Sequence, residues 1–473
     1  MNEITVAAVD LGATSGRVML GRVRADRVEL ETVHRFENTP VELPDGLRWN
    51  ILELYRNILV GLASIARSGV QIQSIGIDSW AVDYGLQRGG HLLGTPFHYR
   101  DARNDAAVER VHARVPLDEI AARNGLQFLS FNTLYQLEAD EQAGLLDLAD
   151  RALLIPDLLA SWLTGVERTE ITNASTTGLL SPATHDWHPG LFAAAGADPA
   201  LFAPLISPGE HYGPLLPAVA AATGLPVGTP VVAVGSHDTA SAVAAVPMDP
   251  DSAAYVSCGT WGLVGIELPA PILSAPARAA NFTNEGGVDG TVRFLRNVMG
   301  LWLLSESVRW WERDGQRIEL TELLAEAAAV TTPVALFDAD DARFQAPGDM
   351  PERIAAAIRE AGGEAPQGRA EIVRSIIDSL AAAFARAVRT ADELSGHRSE
   401  RVHVVGGGSQ NALLCQSLAD RSGLPVLAGP VEATALGNVL VQARALGSGD
   451  DDLAALRARV TASVQPRRFE PRG

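Results

Sequence analysis

The 473-residue chain contains no lysine, so all 38 of its basic residues are arginine. This absence excludes three chemistries at once: the P-loop, which needs a lysine on the phosphates, the protein-kinase site with its strand lysine, and Schiff-base catalysis. Cysteine is nearly absent too. The two that occur, Cys258 and Cys415, lie far apart in small or apolar surroundings, which argues against a disulfide framework or metal cluster and suits a reducing cytoplasm. Positive charge is in deficit, since 57 acidic residues against 38 basic ones leave a net charge of −19. Nucleic acid or an anionic membrane would demand a basic face. The expected partner is therefore a small molecule, and the expected state a monomer or small homo-oligomer. Long apolar runs are missing as well: Leu215 to Val234 is broken by Pro217, Gly224, Pro226 and Gly228, so no clean membrane helix is expected. The N-terminus enters a strand at once, without the basic start and apolar run of a secretory leader. A soluble cytoplasmic protein follows as the expectation.

An apolar content of 47% is ample for burial, and 473 residues exceed one ordinary core, so two domains are expected. The chain pivots on its middle, where Val231 to Val234 read as a short buried strand, Gly235 ends it, and Ser236, His237, Asp238 and Thr239 precede small residues that open a helix. A carboxylate at the C-terminal end of a strand sits where α/β folds bind ligands. Asp238 is thus a candidate catalytic group. Its plainer role is to cap the helix that begins at Thr239.

In chain order, Val6 to Asp10 predicts a strand, Leu11 to Arg17 a turn rich in Gly, Ser and Thr, and Val18 to Phe36 two further strands of a meander. Such a turn can offer backbone N–H groups and hydroxyls to a phosphate; an ordinary hairpin turn is the alternative. Helical spacing covers Leu52 to Ile65, and a strand from Ile72 runs into Asp78, Trp80, Ala81, Asp83 and Tyr84. Those side chains suit sugar recognition or the edge of a core, as do Arg100 to Arg103 and Phe131 to Thr133. Helices are predicted over Leu117 to Arg123, Thr133 to Ala143 and Pro156 to Leu163, and the polar stretch Glu170 to Gly178 has no evident purpose at a surface.

Near Pro247 the pattern restarts: strand Ala253 to Val256, a small polar turn Ser257 to Thr260, strand Trp261 to Ile266. Two lobes of related design, gripping one phosphate chain, are one reading; an unrelated hairpin is the other. Ala370 to Leu394 carries the clearest amphipathic stripe, through Val373, Ile376, Ile377, Leu380, Phe384 and Val388. It leads to a strand at Val402 to Val405, then Gly406, Gly407 and Gly408, then a helix from Ala412. Three glycines strip the surface of side chains, so a flat group such as a nucleoside can lie on the backbone. Asp338, Asp340 and Asp341 lack the Gly and distal Glu of a calcium loop and read as a solvated turn. Trp302, Trp310 and Trp311 read as packing.

Asp10–Arg17 (DLGATSGR), Ser236–Thr239 (SHDT), Ser257–Thr260 (SCGT) and Gly406–Asn411 (GGGSQN) together resemble the FGGY carbohydrate kinases. Further matching stretches are Phe128–Gln136, Thr172–Thr177, Asn281–Gly287, Asn297–Trp302 and Gly429–Ala433, so the resemblance spans nearly the whole chain. It implies a two-lobed actin-like (ribonuclease H-like) α/β fold, with residues 1–246 as the N-terminal lobe, 247–473 as the C-terminal lobe, and ATP and sugar in the cleft between them. It implies that Ala13, Thr14, Ser15, Gly16, Arg17 and Thr260 hold ATP phosphates and that Gly407 approaches the nucleoside. Ala81, His237, Asp238, Thr239 and Asn297 would hold the sugar, with Asp238 accepting the proton and Asp10 holding Mg²⁺ through water. Two positions depart from the family pattern: Ala81 replaces a Gly, and Ser305 replaces a Gln expected on ATP. The implied reaction is transfer from ATP to C1 of a ketose, L-rhamnulose first, with L-fuculose or xylulose as alternatives. An actin-like ATPase and a non-catalytic sugar sensor are the rivals from other classes. As a base, Asp238 is expected to be an ordinary, weak one, with a pKa of ~3.9.

Overall fold

A meander opens the chain: β1 (Ile4–Leu11), β2 (Ser15–Val23) and β3 (Val28–Glu37) pair antiparallel in succession. The computed structural model describes residues 3–313, 315, 317–449 and 452–472. Every residue of β1 is buried, because both its faces are covered. Helix α1 (Ile51–Arg67) buries Ile51, Leu54, Ile58, Leu62 and Ile65 on one stripe, the spacing expected of a face laid on a sheet. It packs with Ala7, Val9 and Leu11 from one face of β1. Next, β4 (Ile75–Ser79) pairs parallel with β1, setting Asp10 opposite Asp78. Strands β5 (His211–Pro214) and β6 (Pro230–Val232) complete a six-stranded sheet of order β5-β6-β4-β1-β2-β3. The short helix α2 (Ile171–Ala174) follows directly on the two-residue strand Thr169–Glu170, and α3 (Asp238–Ala244) follows the Gly235–His237 loop.

A second unit starts at Met248. Its β7 (Ala253–Cys258) pairs antiparallel with β8 (Trp261–Leu268). The chain then returns to the first unit for residues 267–294, which hold β9 (Thr283–Gly286) and the start of β10 (Val292–Met299). Back in the second unit come α4 (Trp302–Glu312), α5 (Gly368–Ser395), β11 (Arg401–Val405), α6 (Ala412–Ser422) and β12 (Val426–Ala428). Strand β11 pairs parallel with both β7 and β12, and the late strand β13 (Arg467–Phe469) closes on β12. The stripe predicted on α5 is buried throughout. Each unit thus has an antiparallel hairpin whose first strand also pairs parallel with a later one: β1/β2 with β4, and β7/β8 with β11.

Residues 433–464 return once more to the first unit as α7 (Ala433–Ala445) and α8 (Leu453–Ser463). They cover the second face of its sheet: Leu436, Val439, Leu440, Leu456 and Val460 pack with Ile4, Val6, Ala8, Val23 and Val28. Period-two alternation along β1 therefore feeds two cores, one per face. A Cβ at Gly437 would strike the carbonyl oxygen of Ser241 on α3, so α7 and α3 touch backbone to backbone. A polar ladder lies under this contact. Ser74 Oγ donates to Gln442 Oε1 (2.7 Å), Gln442 Nε2 to Asn438 Oδ1 (2.6 Å), and Asn438 Nδ2 to Asp78 Oδ2 (2.6 Å). Among the described residues no helix is long and apolar enough to cross a membrane. Cys258 and Cys415 are buried free thiols, each pushed up to about 12, chiefly by burial.

The acidic run is a turn with Asp338 exposed, as expected, but Asp340 is engaged. Asp340 accepts Arg296 Nη2 (3.0 Å) and the Met299 amide (3.2 Å), and so pins the end of β10.

Candidate active site

In the first unit, Asp10 and Asp78 stand side by side near the C-terminal ends of β1 and β4. The Ser236–Asp238 segment is stitched beside them: the Ser79 amide donates to Ser236 O (2.9 Å) and the Trp80 amide to Leu11 O (3.1 Å). Asp10 Oδ2 accepts Arg17 Nε at 3.0 Å; Ser15, Gly16 and Arg17 already belong to β2, with Arg17 directly opposite Asp10, so the turn predicted over Leu11 to Arg17 shortens to residues 12–14. His237, not Asp238, occupies the N-cap position of α3, and it makes no side-chain cap bond. Asp238 is the first helical residue. Its Oδ1 accepts Thr239 Oγ1 (3.0 Å), and 31% of its side-chain surface stays open. Burial first, then the charge of Asp10, raise its pKa to about 7, against the opposing Thr239 hydrogen bonds. The open edge admits water, which moderates that shift. The expected ordinary carboxylate is therefore corrected: low-dielectric surroundings and a like charge move Asp238 toward neutrality, where a general base works best. Asp78 is raised further by burial and by Asp10, with Asn438 opposing.

The purpose of the polar stretch from Glu170 becomes clear here. Buried Glu170 accepts the amides of Thr172 (3.0 Å), Asn173 (3.1 Å) and Ser236 (3.1 Å), and the hydroxyls of Thr172 (2.6 Å) and Ser236 (2.8 Å). One side chain thus caps α2 and anchors the loop that carries His237 and Asp238. A second support comes from β9 and β10. Arg293 is fully buried; its Nη2 meets His237 Nδ1 at 3.1 Å, its Nη1 meets Glu285 Oε2 at 3.1 Å, and its Nε donates to Gly286 O at 3.0 Å. Burial first, then Arg293, hold His237 well below the usual imidazole range. Sequence reasoning missed Glu170, Glu285 and Arg293 as parts of the site. The available signal was charge in otherwise apolar or strand-like surroundings.

Other candidates fall on the core-edge reading. Asp83 is 1% exposed, and its oxygens accept Trp49 Nε1 (2.5 Å), Trp80 Nε1 (3.0 Å), Gln136 Nε2 (2.8 Å) and the Tyr99 amide (3.2 Å). Tyr84 and Arg103 both bond Asp140. These polar groups are committed internally. The loop they brace is strained, for Val82 has φ 68° and the Asp83 amide donates to Ala81 O (2.9 Å), the pattern of a γ-turn that a β-branched residue rarely adopts. It fixes the backbone of half-buried Ala81.

The second unit gathers the remaining candidates in part. The Leu301 amide donates to Gly259 O (2.9 Å) and the Trp302 amide to Thr260 O (3.2 Å), so the β7/β8 turn abuts the start of α4, where Ser305 is exposed one turn on. A Cβ at Gly408 would strike Cys258 Sγ, whereas one at Gly407 would meet nothing within 4 Å. Gly407 is exposed, as a surface for a flat group requires. Asn297 lies half-buried on β10.

Comparison with known proteins shows the family. The family models for the FGGY family of carbohydrate kinases match residues 5–245 (N-terminal domain) and 254–446 (C-terminal domain). A rhamnulokinase of Bacteroides thetaiotaomicron is 41% identical, with 98% of this chain and 95% of that protein aligned. A rhamnulokinase of Pectobacterium atrosepticum is 43% identical over 99% and 93%. The crystal structure of xylulose kinase from Rhodospirillum rubrum superposes with a TM-score of 0.77 at 21% identity, covering 100% of this chain and 94% of that one, so the fold is the two-lobed actin-like one. With both domain models matched and full-length relatives above 40% identity, the chain belongs to the FGGY family of carbohydrate kinases.

Proposed function

We propose that this carbohydrate kinase transfers the γ-phosphoryl group of ATP to the C1 hydroxyl of L-rhamnulose, giving L-rhamnulose 1-phosphate and ADP in the cytoplasm. The observation that carries the reading is 41% and 43% identity to two rhamnulokinases along almost the entire chain. Asp238, raised to about 7 at a strand-to-helix junction, supports it as the proton acceptor. His237, Thr239, Ala81 and Asn297 hold the sugar. Ala13 to Arg17 and Thr260 hold the phosphates, Gly407 takes the nucleoside, and Ser305 is the contact on α4. As a division of the sequence, residues 1–246 carry most sugar and phosphate contacts and 247–473 the nucleoside contacts.

Phosphoryl transfer passes through a loose transition state, so orientation and charge neutralisation dominate. With no lysine in the chain, Arg17, backbone N–H groups and the hydroxyls of Thr14, Ser15 and Thr260 must supply much of that neutralisation. Asp10 would hold Mg²⁺ through water. Among the described residues no group of three or more His, Cys, Asp or Glu could hold a metal, which suits an ion kept mainly by phosphate and water with one or two carboxylates. When bound, the ion neutralises charge on the β- and γ-phosphates.

The test is ADP release across L-rhamnulose, L-fuculose, xylulose and glycerol. L-Rhamnulose should give the highest kcat/KM. Ketoses with a hydroxyl in place of its methyl group should fall roughly 10- to 200-fold behind, the discrimination one apolar corner provides. Another sugar clearly outrunning rhamnulose, or phosphate found elsewhere than on C1, would overturn the substrate and leave the kinase.

A further inference from the structure

An arginine with no exposed surface is unusual, because burying a guanidinium is costly unless its donors are met. Arg293 meets that condition in part: Nε donates to Gly286 O and Nη2 to His237 Nδ1, while Nη1 faces Glu285 Oε2 at 3.1 Å as an ion pair without hydrogen-bond geometry. A guanidinium has donors only. The 3.1 Å approach of Nη2 to His237 Nδ1 therefore requires a lone pair on Nδ1. In a neutral imidazole the proton must then sit on Nε2, since the bond made at one ring nitrogen sets the state of the other.

Glu285 Oε2 also lies 3.4 Å from Nδ1, and a proton on Nδ1 could in principle point there. It would then oppose the Arg293 N–H at 3.1 Å, while Glu285 already has Arg293 Nη1 at 3.1 Å. On the other side of the ring, Nε2 is 3.5 Å from Asp238 Oδ1, too long for a formed hydrogen bond. An Nε2–H there complements the carboxylate. A hydroxyl set against the pair finds one donor and one acceptor, so it can receive a bond from His237 at its oxygen while directing its own proton to Asp238. With the opposite tautomer both groups would be acceptors competing for a single proton.

We propose that Arg293, backed by Glu285, is a positioning residue that holds His237 as the Nε2–H tautomer, so that His237 donates to the sugar oxygen whose proton Asp238 accepts. The role toward sugar rests on the function proposed above; the tautomer does not. Burial and the charge of Arg293, which keep the ring neutral, are consistent with it.

The test is nitrogen-15 NMR of the ligand-free, histidine-labelled protein near neutral pH, with the His237 signals among ten histidines assigned by their loss in His237→Asn. The expected pattern is a protonated Nε2 and a bare Nδ1. A protonated Nδ1, an averaged pair or an imidazolium would overturn the proposal without reference to activity. A double variant, Arg293→Met with Glu285→Gln, avoids stranding a buried carboxylate and should convert the pattern to a tautomer mixture. Its kcat/KM for sugar should fall about 10- to 100-fold, the scale seen when a partner that orients a histidine is lost, with KM for ATP unchanged. Arg293→Lys, which keeps a donor, should recover part of both. An unaltered tautomer in the double variant sinks the role of Arg293 even if activity falls. An altered tautomer with unaltered sugar kinetics keeps the tautomer assignment and removes His237 from the sugar site.

Discussion

Asp238 shows what separates a legible residue from an illegible one. A carboxylate after a buried strand can be found by inspection, and so could Asp10; their partners could not. Arg293 and His237 are 56 positions apart, and nothing near either one predicts that the two meet. Nor could sequence supply the raised pKa of Asp238, which depends on burial and on Asp10, carried by β1 two strands away from β6 in the sheet. That shift has two consequences of opposite sign. As a base, Asp238 must be unprotonated, so kcat/KM should climb with pH up to about 7 and level off above it. For stability, a carboxyl raised in the folded state binds its proton more tightly than in the unfolded chain. Its contribution is therefore fully present below the unfolded pKa of ~3.9 and is lost as pH rises through the folded value. Asp238→Asn should lower kcat by roughly 10²-fold or more, abolish the acid limb, and raise the melting temperature at pH 8 more than at pH 4. Turnover within about threefold of the unmodified enzyme, or an acid limb that persists, would remove Asp238 from the base role.

Strands and helices with strong periodicity were legible in type and place, with ends off by less than one helical turn: the opening meander, α1, α5 and the Gly406–Gly408 turn. What was not legible is which faces they present to one another. Helix α7 follows the glycine turn in sequence, and its apolar residues reveal only that it is buried, not that it lies against β1, β2 and α3. Its Gly437 carries the reason for the fit. Alanine is the better helix former by about 1 kcal/mol, so sequence alone predicts that Gly437→Ala stabilises. The structure predicts the reverse, since the added carbon meets the Ser241 carbonyl, backbone that cannot swing away. Overpacking of this kind costs about 1–3 kcal/mol or more, outweighing the helical gain. Gly437→Ala should lower the urea midpoint, while Gly94→Ala, where a Cβ meets nothing within 4 Å, should leave it within error. Equal midpoints for the two variants would refute a backbone contact between α7 and α3.

Two domain models divide the chain cleanly near residue 250, and the restart of the strand–turn–strand pattern near Pro247 suggests the same division. The folded first unit does not respect it, because residues 433–464 are part of its core. Leu436, Val439, Leu440, Leu453, Leu456 and Val460 all belong to the cluster that covers the outer face of β1. Burying each is worth about 1.5–3 kcal/mol. Their loss together is on the order of 10 kcal/mol, as large as the whole stability of an ordinary domain. The polar ladder aggravates this: without Asn438 and Gln442, Ser74 and Asp78 lose their side-chain partners, and unsatisfied buried groups cost further. A fragment comprising residues 1–247 should therefore fail to fold, giving no cooperative thermal transition and aggregating in size-exclusion chromatography. Co-expression with residues 248–473 should recover soluble protein, since the missing helices are then supplied in trans. A fragment 1–247 that melts cooperatively on its own would mean that α7 and α8 decorate the sheet rather than complete it.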